Sequence, residues 1–268
     1  MTEILAEIPR WGFMWALAAA IYAACKGLSW WPLRSRGSAA RSAGYLLLWP
    51  GMDARAFLDA AARPERPPAA EWLFAAGKTM AGAALVWIVA PLAAAPLLKG
   101  WIGLVGMIFI LHFGTFHLLS LGWRSAGVKA EPIMRAPILA TSLGDFWGRR
   151  WNLGFRDLAH DLLFKPLAPR FGAAAAGFAV FLASGLVHDL VISVPAGGGY
   201  GLPTGYFALQ GLGVSIERSR SGREFGLGWG IRGWIFVALF TAGPAIALFH
   251  PAFIREVWLP FMTAIGIK

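Results

Sequence analysis

The chain has 268 residues, of which 57% are hydrophobic and only 14% charged, with 14 Trp and 19 Phe; that balance excludes an ordinary water-soluble domain and points to an integral membrane protein. The formal charge of +10 is scattered over segment ends and forms no single basic stripe with a binding motif, which argues for a membrane and against nucleic acid as the partner. A single cysteine, Cys25, excludes an internal disulfide and a cysteine-based metal cluster.

A helical span needs about 20 mostly apolar residues. In chain order, the first span is expected at about 11–31; it starts behind two acids and one base and has no convincing cleavage site, so it reads as a span and not as a leader. The stretch "RSAGYLLLWPGMDARAFL" (41–58) joins a short apolar segment to Trp, Gly and charge, a length suited to an interfacial or re-entrant element. "RPERPP" (63–68) is a surface turn, and spans follow at 79–98 and 100–123. "PIMRAPILATSLGDFWGRRWNL" (132–153) repeats the interfacial or re-entrant pattern, and further spans are expected at 171–192, 203–216 and 229–249. Strand-like alternation is absent. The expected fold is an all-α polytopic membrane bundle of about six to eight transmembrane helices with re-entrant or interfacial segments. The chain reads as one domain over 1–268, with the oligomeric state open.

Connections 32–78, 124–170 and 217–228 are rich in Lys and Arg, whereas the intervening sides hold Arg10, Lys99, Arg255 and Lys268. The positive-inside rule puts the three basic connections in the cytoplasm and the N-terminus outside.

The candidate chemistry begins with five histidines: His112, His117, His160, His188 and His250. His188 lies in "FLASGLVHDL" (181–190), with Ser184 and Gly185 one turn back on its helical face, leaving room beside the imidazole for a substrate or a neighbouring helix. Asp189 points about 100° away on a helix and is not an obvious orienting partner. From the helix alone, His188 reads either as a catalytic base or as a histidine that pins two helices together. His112 and His117, spaced by five, miss the i, i+4 geometry of a metal pair and read as structural; His250 precedes Pro251 at a helix end. "DLAHD" (157–161) puts Asp157 and Asp161 one turn apart, a Mg²⁺-holding spacing, but without a second acidic cluster it reads as a water-facing amphipathic helix and no metal is expected.

"SLGDFWGRRWN" (142–152) could be an interfacial belt of Trp and Arg. Asn152 does not fit that picture, because an amide entering an apolar segment needs a hydrogen-bonding purpose there.

These residues resemble the wax synthase branch of the membrane-bound O-acyltransferases. "SLGDFWGRRWN" is similar to that branch's signature, "SGLVHDL" (184–190) to the segment carrying its histidine, and "YLLLWPGMD" (45–53) to a stretch of bacterial members. The likeness covers most of 45–250, with its specific part in the signature region of about 142–190. Two departures accompany it: the chain is shorter than the plant wax synthases, and Asp189 stands where Glu is more frequent.

The resemblance implies acyl transfer from acyl-CoA to an alcohol hydroxyl without a cofactor, acyl-CoA being a substrate. It implies that His188 and Asn152 are catalytic, and that Asp145, Trp147, Arg149, Arg150, Trp151 and Ser184 bind substrate, with Arg149 and Arg150 meeting the CoA phosphates. The implied partners are acyl-CoA, a lipophilic alcohol (by default long-chain, giving a wax ester) and membrane lipid, in a bacterial inner (cell) membrane. Two alternatives stay open: an O-acetyltransferase acting on a sterol, terpenoid or other secondary metabolite, and a non-enzymatic transporter whose histidines line a polar path. One tension is visible in this topology. From an entry near Gly172, His188 lies about 24 Å along its helix, past the midplane of a core of about 30 Å.

Overall fold

The computed structural model describes residues 8–267, so Lys268, counted above with the basic residues, lies outside the described residues. The described residues are mostly helical and form no strand. Among the described residues five helices are long and apolar enough to cross a membrane: Arg10–Leu33, Ala69–Leu92, Pro96–Ser125, Ala173–Ala196 and Gly230–Leu248. Large apolar side chains such as Leu47, Leu73, Met80, Leu92, Leu239 and Ile246 are exposed on them and on their neighbours, as expected where lipid and not water is the solvent.

Two differences from the sequence reading concern spans. The second helix begins at Ala69, ten residues before the expected 79, because the turn ends at Pro68 and Glu71 is accommodated in the first turn of the helix. The expected span 203–216 is helix Leu202–Arg218. At 17 residues it is shorter than the five, and two of its polar residues, Gln210 and Glu217, are buried.

Two compact units share the chain. One comprises the chain up to Ala19, Ala136–Trp151 and Ala159–Gly266; the other comprises Ala20–Arg135, Asn152–Leu158 and the chain from Ile267.

In the first unit, helices Ala173–His188 and Leu202–Arg218 approach until small residues meet backbone and rings: a Cβ on Gly185 would stand 2.7 Å from Thr204 Cα, and one on Gly211 2.6 Å from the Phe178 ring. The reversal between these helices uses left-handed backbone at Gly197, Gly199 and Gly201. A small apolar core of Ala140, Leu143 and Val237, with Phe146, Trp147, Phe236 and Phe240 around it, seats the signature stretch. In the second unit, spans Ala69–Leu92 and Pro96–Ser125 cross where Gly82 and Gly106 face each other's backbone, each lacking room for a Cβ. Short helices Ala39–Leu48 and Ala54–Leu58 close a core of Tyr45, Trp49, Phe57, Leu58, Val128 and Ile133.

Candidate active site

The signature stretch is a short helix whose first turn is capped twice. Ser142 is extended and its Oγ accepts from the Asp145 N–H at 2.9 Å. The carboxylate of Glu217, at the end of helix Leu202–Arg218, accepts from the N–H groups of Leu143 and Gly144. The N–H groups that a helix start leaves without intrahelical partners are thereby satisfied from 73 or more residues away. Glu217 is 8% exposed, and burial pushes its carboxyl above the usual carboxylate range while the two N–H donors and Arg218 pull the other way.

After one α-helical turn the backbone widens into a π-helical turn, Phe146–Arg150. That extra residue sends the two arginines in different directions. Arg150 turns back onto the Asp145 carboxylate and donates to the Ala136 carbonyl at 3.2 Å. Arg149 instead lines a cleft of about 230 Å³ together with Ser142, Gly144, Asp145, Glu217 and Arg218. Asp145 is engaged by Arg150 and Glu217 by backbone N–H groups, so the cleft's cations are Arg149 and Arg218. Arg150, expected beside Arg149, is thus held as an internal ion pair, and Arg218, absent from the expected set, takes its place at the cleft.

Trp147 points inward. Its Nε1 donates to Gln210 Oε1 at 3.3 Å, and the Gln210 amide donates to the Phe240 carbonyl at 2.6 Å. Its ring packs against Phe181 and Phe207, and Trp151 stacks on Phe146 at 5.5 Å. Phe207 touches Trp147 on one side, at 5.7 Å between centroids, and His188 on the other, at 4.5 Å. One ring therefore connects the signature to the histidine.

His188 is half-buried at the last position of helix Ala173–His188. Its Nδ1 lies 2.7 Å from the Ser184 carbonyl oxygen. A carbonyl only accepts, so Nδ1 carries the proton and Nε2 keeps the lone pair, the tautomer a general base requires. Ser184 serves through its carbonyl, and the space at Gly185 is taken by the backbone of Thr204 and not by a substrate.

Asp189 opens a second π-helical turn, Asp189–Ser193, and its carboxylate is fully engaged elsewhere. It accepts from the Ser193 hydroxyl at 2.8 Å, the Gly201 N–H at 2.9 Å, and both the N–H and the hydroxyl of Thr204. Beyond it, Ser193 Oγ lies 3.2 Å from His250 Nε2, and His250 Nδ1 accepts from the Phe253 N–H. Buried His250 has its pKa lowered by desolvation, with Asp189 opposing, and donates from Nε2. Asp189 therefore anchors the backbone immediately after the histidine.

Asn152, in the second unit, has left-handed backbone at φ 44°. Its N–H donates to Met134 Sδ at 3.2 Å, its carbonyl starts helix Leu153–Ala159 by accepting from Arg156, and the Leu153 N–H donates to the Ile133 carbonyl at 2.9 Å. Asn is one of the few residues other than Gly that occupies this region at low cost, so the position has a backbone reason as well as a chemical one.

Elsewhere, Asp157 pairs with Arg156 and Asp161 with Lys165, which holds the Asp161 carboxyl below its usual range. Among the described residues no three His, Cys, Asp or Glu side chains are grouped as metal ligands. His117 joins an ion network with Glu71, Arg124 and Lys78, and His112 packs edge-on to Phe116.

Residues 130–209, which hold both the signature and His188, match the membrane bound O-acyl transferase family. Over this segment the chain is similar to that family. The chain is 31% identical over 145 residues to the probable long-chain-alcohol O-fatty-acyltransferase 7 of Arabidopsis thaliana, covering 48% of this chain and 42% of that protein. It is 30% identical over 129 residues to the long-chain-alcohol O-fatty-acyltransferase of Simmondsia chinensis, covering 42% and 36%. An acyl-CoA–sterol O-acyltransferase 1 from Arabidopsis thaliana is 38% identical over 97 residues, covering 31% and 28%. The chain thus spans less than half the length of each of these curated relatives.

Proposed function

We propose that the protein is an acyl-CoA:alcohol O-acyltransferase that esterifies a long-chain alcohol to a wax ester. The observation that carries this reading is the state of His188: Nδ1–H on the Ser184 carbonyl and a basic Nε2 beside Phe207. In the proposed reaction Nε2 takes the proton of the acceptor hydroxyl while its oxygen attacks the thioester carbonyl carbon. The tetrahedral intermediate then collapses, the C–S bond breaks, and the CoA sulfur recovers the proton from the imidazolium. Base catalysis of this kind contributes about 10²–10⁴-fold. Asn152 supplies an amide N–H to the carbonyl oxygen, where one such donor is worth about 10²–10³-fold. Arg149 and Arg218 receive donor phosphates at the cleft, and Asp145 and Arg150 hold the shape of its rim. Trp147, Trp151 and Phe207 give the acyl chain an apolar wall. No cofactor enters this scheme, and the inner membrane of a bacterium is the proposed location.

The test is ester formation by the purified protein in nanodiscs, from palmitoyl-CoA and a panel of alcohols, read by mass spectrometry. Loss of product in a folded His188→Gln variant supports the scheme; product that survives at the parental rate removes His188 as the base. The relative named a sterol acyltransferase favours including sterols among the acceptors.

A further inference from the structure

The stretch 45–53 has no part in this chemistry, and beneath it lies a charged residue that the scheme leaves unused. Lys26, near the end of helix Arg10–Trp30, is 2% exposed. An ionisable side chain in a membrane-spanning helix is costly and marks a functional need. Its Nζ donates to the Gly51 carbonyl at 2.7 Å and sits 3.3 Å from the centroid of the Tyr45 ring. The contacts around it close on themselves. Ser29 Oγ donates to the Lys26 carbonyl at 3.0 Å, so the Tyr45 hydroxyl, 2.7 Å away, donates to Ser29, and the Tyr22 hydroxyl donates to the Trp49 carbonyl at 2.9 Å.

The same peptide is gripped from its other side. A Cβ on Gly154 would lie 3.1 Å from Met52 N and 3.2 Å from Gly51 Cα, so Gly154 seats directly on the peptide whose carbonyl Lys26 holds. Two residues earlier stands Asn152. Its N–H and that of Leu153 are bound by Met134 and Ile133, which belong to the apolar core built on Tyr45. Backbone 152–154 is therefore fixed along two routes, through 51–52 and through 133–134, and both lead back to Tyr45 and Lys26.

We propose that Lys26 is a positioning residue for Asn152: by fixing the Gly51 carbonyl it sets the seat of Gly154 and, with it, the left-handed turn that aims the Asn152 amide. This rests on the acyl-transfer role given to Asn152 above. A lysine suits the task because its four-carbon stem packs like an aliphatic chain while its amine satisfies a carbonyl that would otherwise lack a donor in apolar surroundings.

The test compares the parent with Lys26→Met, Lys26→Arg, Asn152→Ala and the Lys26→Met/Asn152→Ala double variant in nanodiscs, by amide hydrogen exchange and by kinetics. Lys26→Met is expected to speed exchange of the Leu153 and Gly154 amides about tenfold or more while leaving helix Ala173–His188 unchanged. It is expected to lower kcat without changing KM for palmitoyl-CoA, with partial rescue by Lys26→Arg and no further loss when added to Asn152→Ala. Unchanged exchange at 152–154 overturns the proposal whatever the activity, as do losses that simply multiply in the double variant. Faster exchange at 152–154 in Lys26→Met, alongside a parent that makes no ester, supports the mechanical link and counts against the acyl-transfer reading instead. If Lys26→Met does not fold, Gly154→Ala presses on the same seat without removing a buried amine and is expected to give the same exchange and kinetic pattern.

Discussion

Replacing Asp189 by Asn removes one negative charge and turns one of two acceptor oxygens into a donor. In the parent, Oδ1 accepts from Ser193 Oγ and the Gly201 N–H, and Oδ2 from the N–H and hydroxyl of Thr204. Either hydroxyl can rotate and accept from the new amide, but a backbone N–H cannot. Whichever way the Asn side chain is flipped, the N–H of Gly201 or of Thr204 faces another donor. A hydrogen bond to a charged acceptor is worth about 1.5–3 kcal/mol, and a buried donor left without a partner costs about 1–3 kcal/mol. The amide turns toward the exposed Gly201 N–H, which escapes the buried-donor penalty, and relief from burying a charge offsets part of the rest, leaving an expected destabilisation of about 1–2 kcal/mol. Denaturant unfolding in mixed micelles measures it, with hydrogen exchange over 197–204 reporting whether the loss is local. Since His188 is the neighbouring residue, ester formation is expected to fall together with protection of this turn. A variant within about 0.5 kcal/mol of the parent would refute the claim that this carboxylate anchors the turn.

Glu217 carries a pH signature. Its folded pKa is raised, so its contribution to stability is complete below the unfolded carboxylate value of about 4.3 and is lost as pH rises through the folded value. Over that window the parent is expected to lose stability with rising pH more steeply than Glu217→Gln; parallel thermal-unfolding profiles from pH 4 to 7 contradict this. Asn152→Ala is expected to cost about 1–2 kcal/mol from left-handed strain, whereas Asn152→Gly escapes that strain and still loses ester formation; full activity in the Gly variant shows a backbone role alone. Gly185→Ala forces its Cβ against Thr204 backbone and is expected to destabilise by about 1–3 kcal/mol, measured by the same unfolding assay. Arg218→Ala is expected to raise KM for palmitoyl-CoA several-fold with KM for the alcohol unchanged, and equal KM values for both variants of the donor cleft, Arg149→Ala and Arg218→Ala, to that of the parent exclude a phosphate seat there.

The spans and the signature were legible because their information is local: long apolar runs, a dense cluster of Trp, Arg and Asn, and small residues one turn before His188. What was not legible depends on partners distant in the chain. Arg149 and Arg150 are equivalent as letters, and only the π-helical turn, invisible to a 3.6-residue pattern, sends one into the cleft and the other onto Asp145. Glu217 reads as the polar end of a helix until Leu143 and Gly144 are found donating to it. Nothing in the letters around Lys26 shows that it is buried against the 45–53 stretch. Helix Leu202–Arg218 is legible as a helix from its apolar residues, but the partners of its buried Gln210 and Glu217 are not.

The widened turn at Asp189–Ser193 bears on how this chain varies over evolutionary time. A π-helical turn is a helix that has kept one inserted residue, so the residues on either side of it are out of phase by about 100°. A deletion of a single residue within 190–192 would restore the ordinary winding and leave both His188 and Val194–Ala196 where they are, whereas the same deletion in an ordinary α-helical turn would rotate everything after it by about 100°. A deletion scan along Ala173–Ala196 should therefore find its tolerated positions inside this turn, between the anchoring side chains of Asp189 and Ser193.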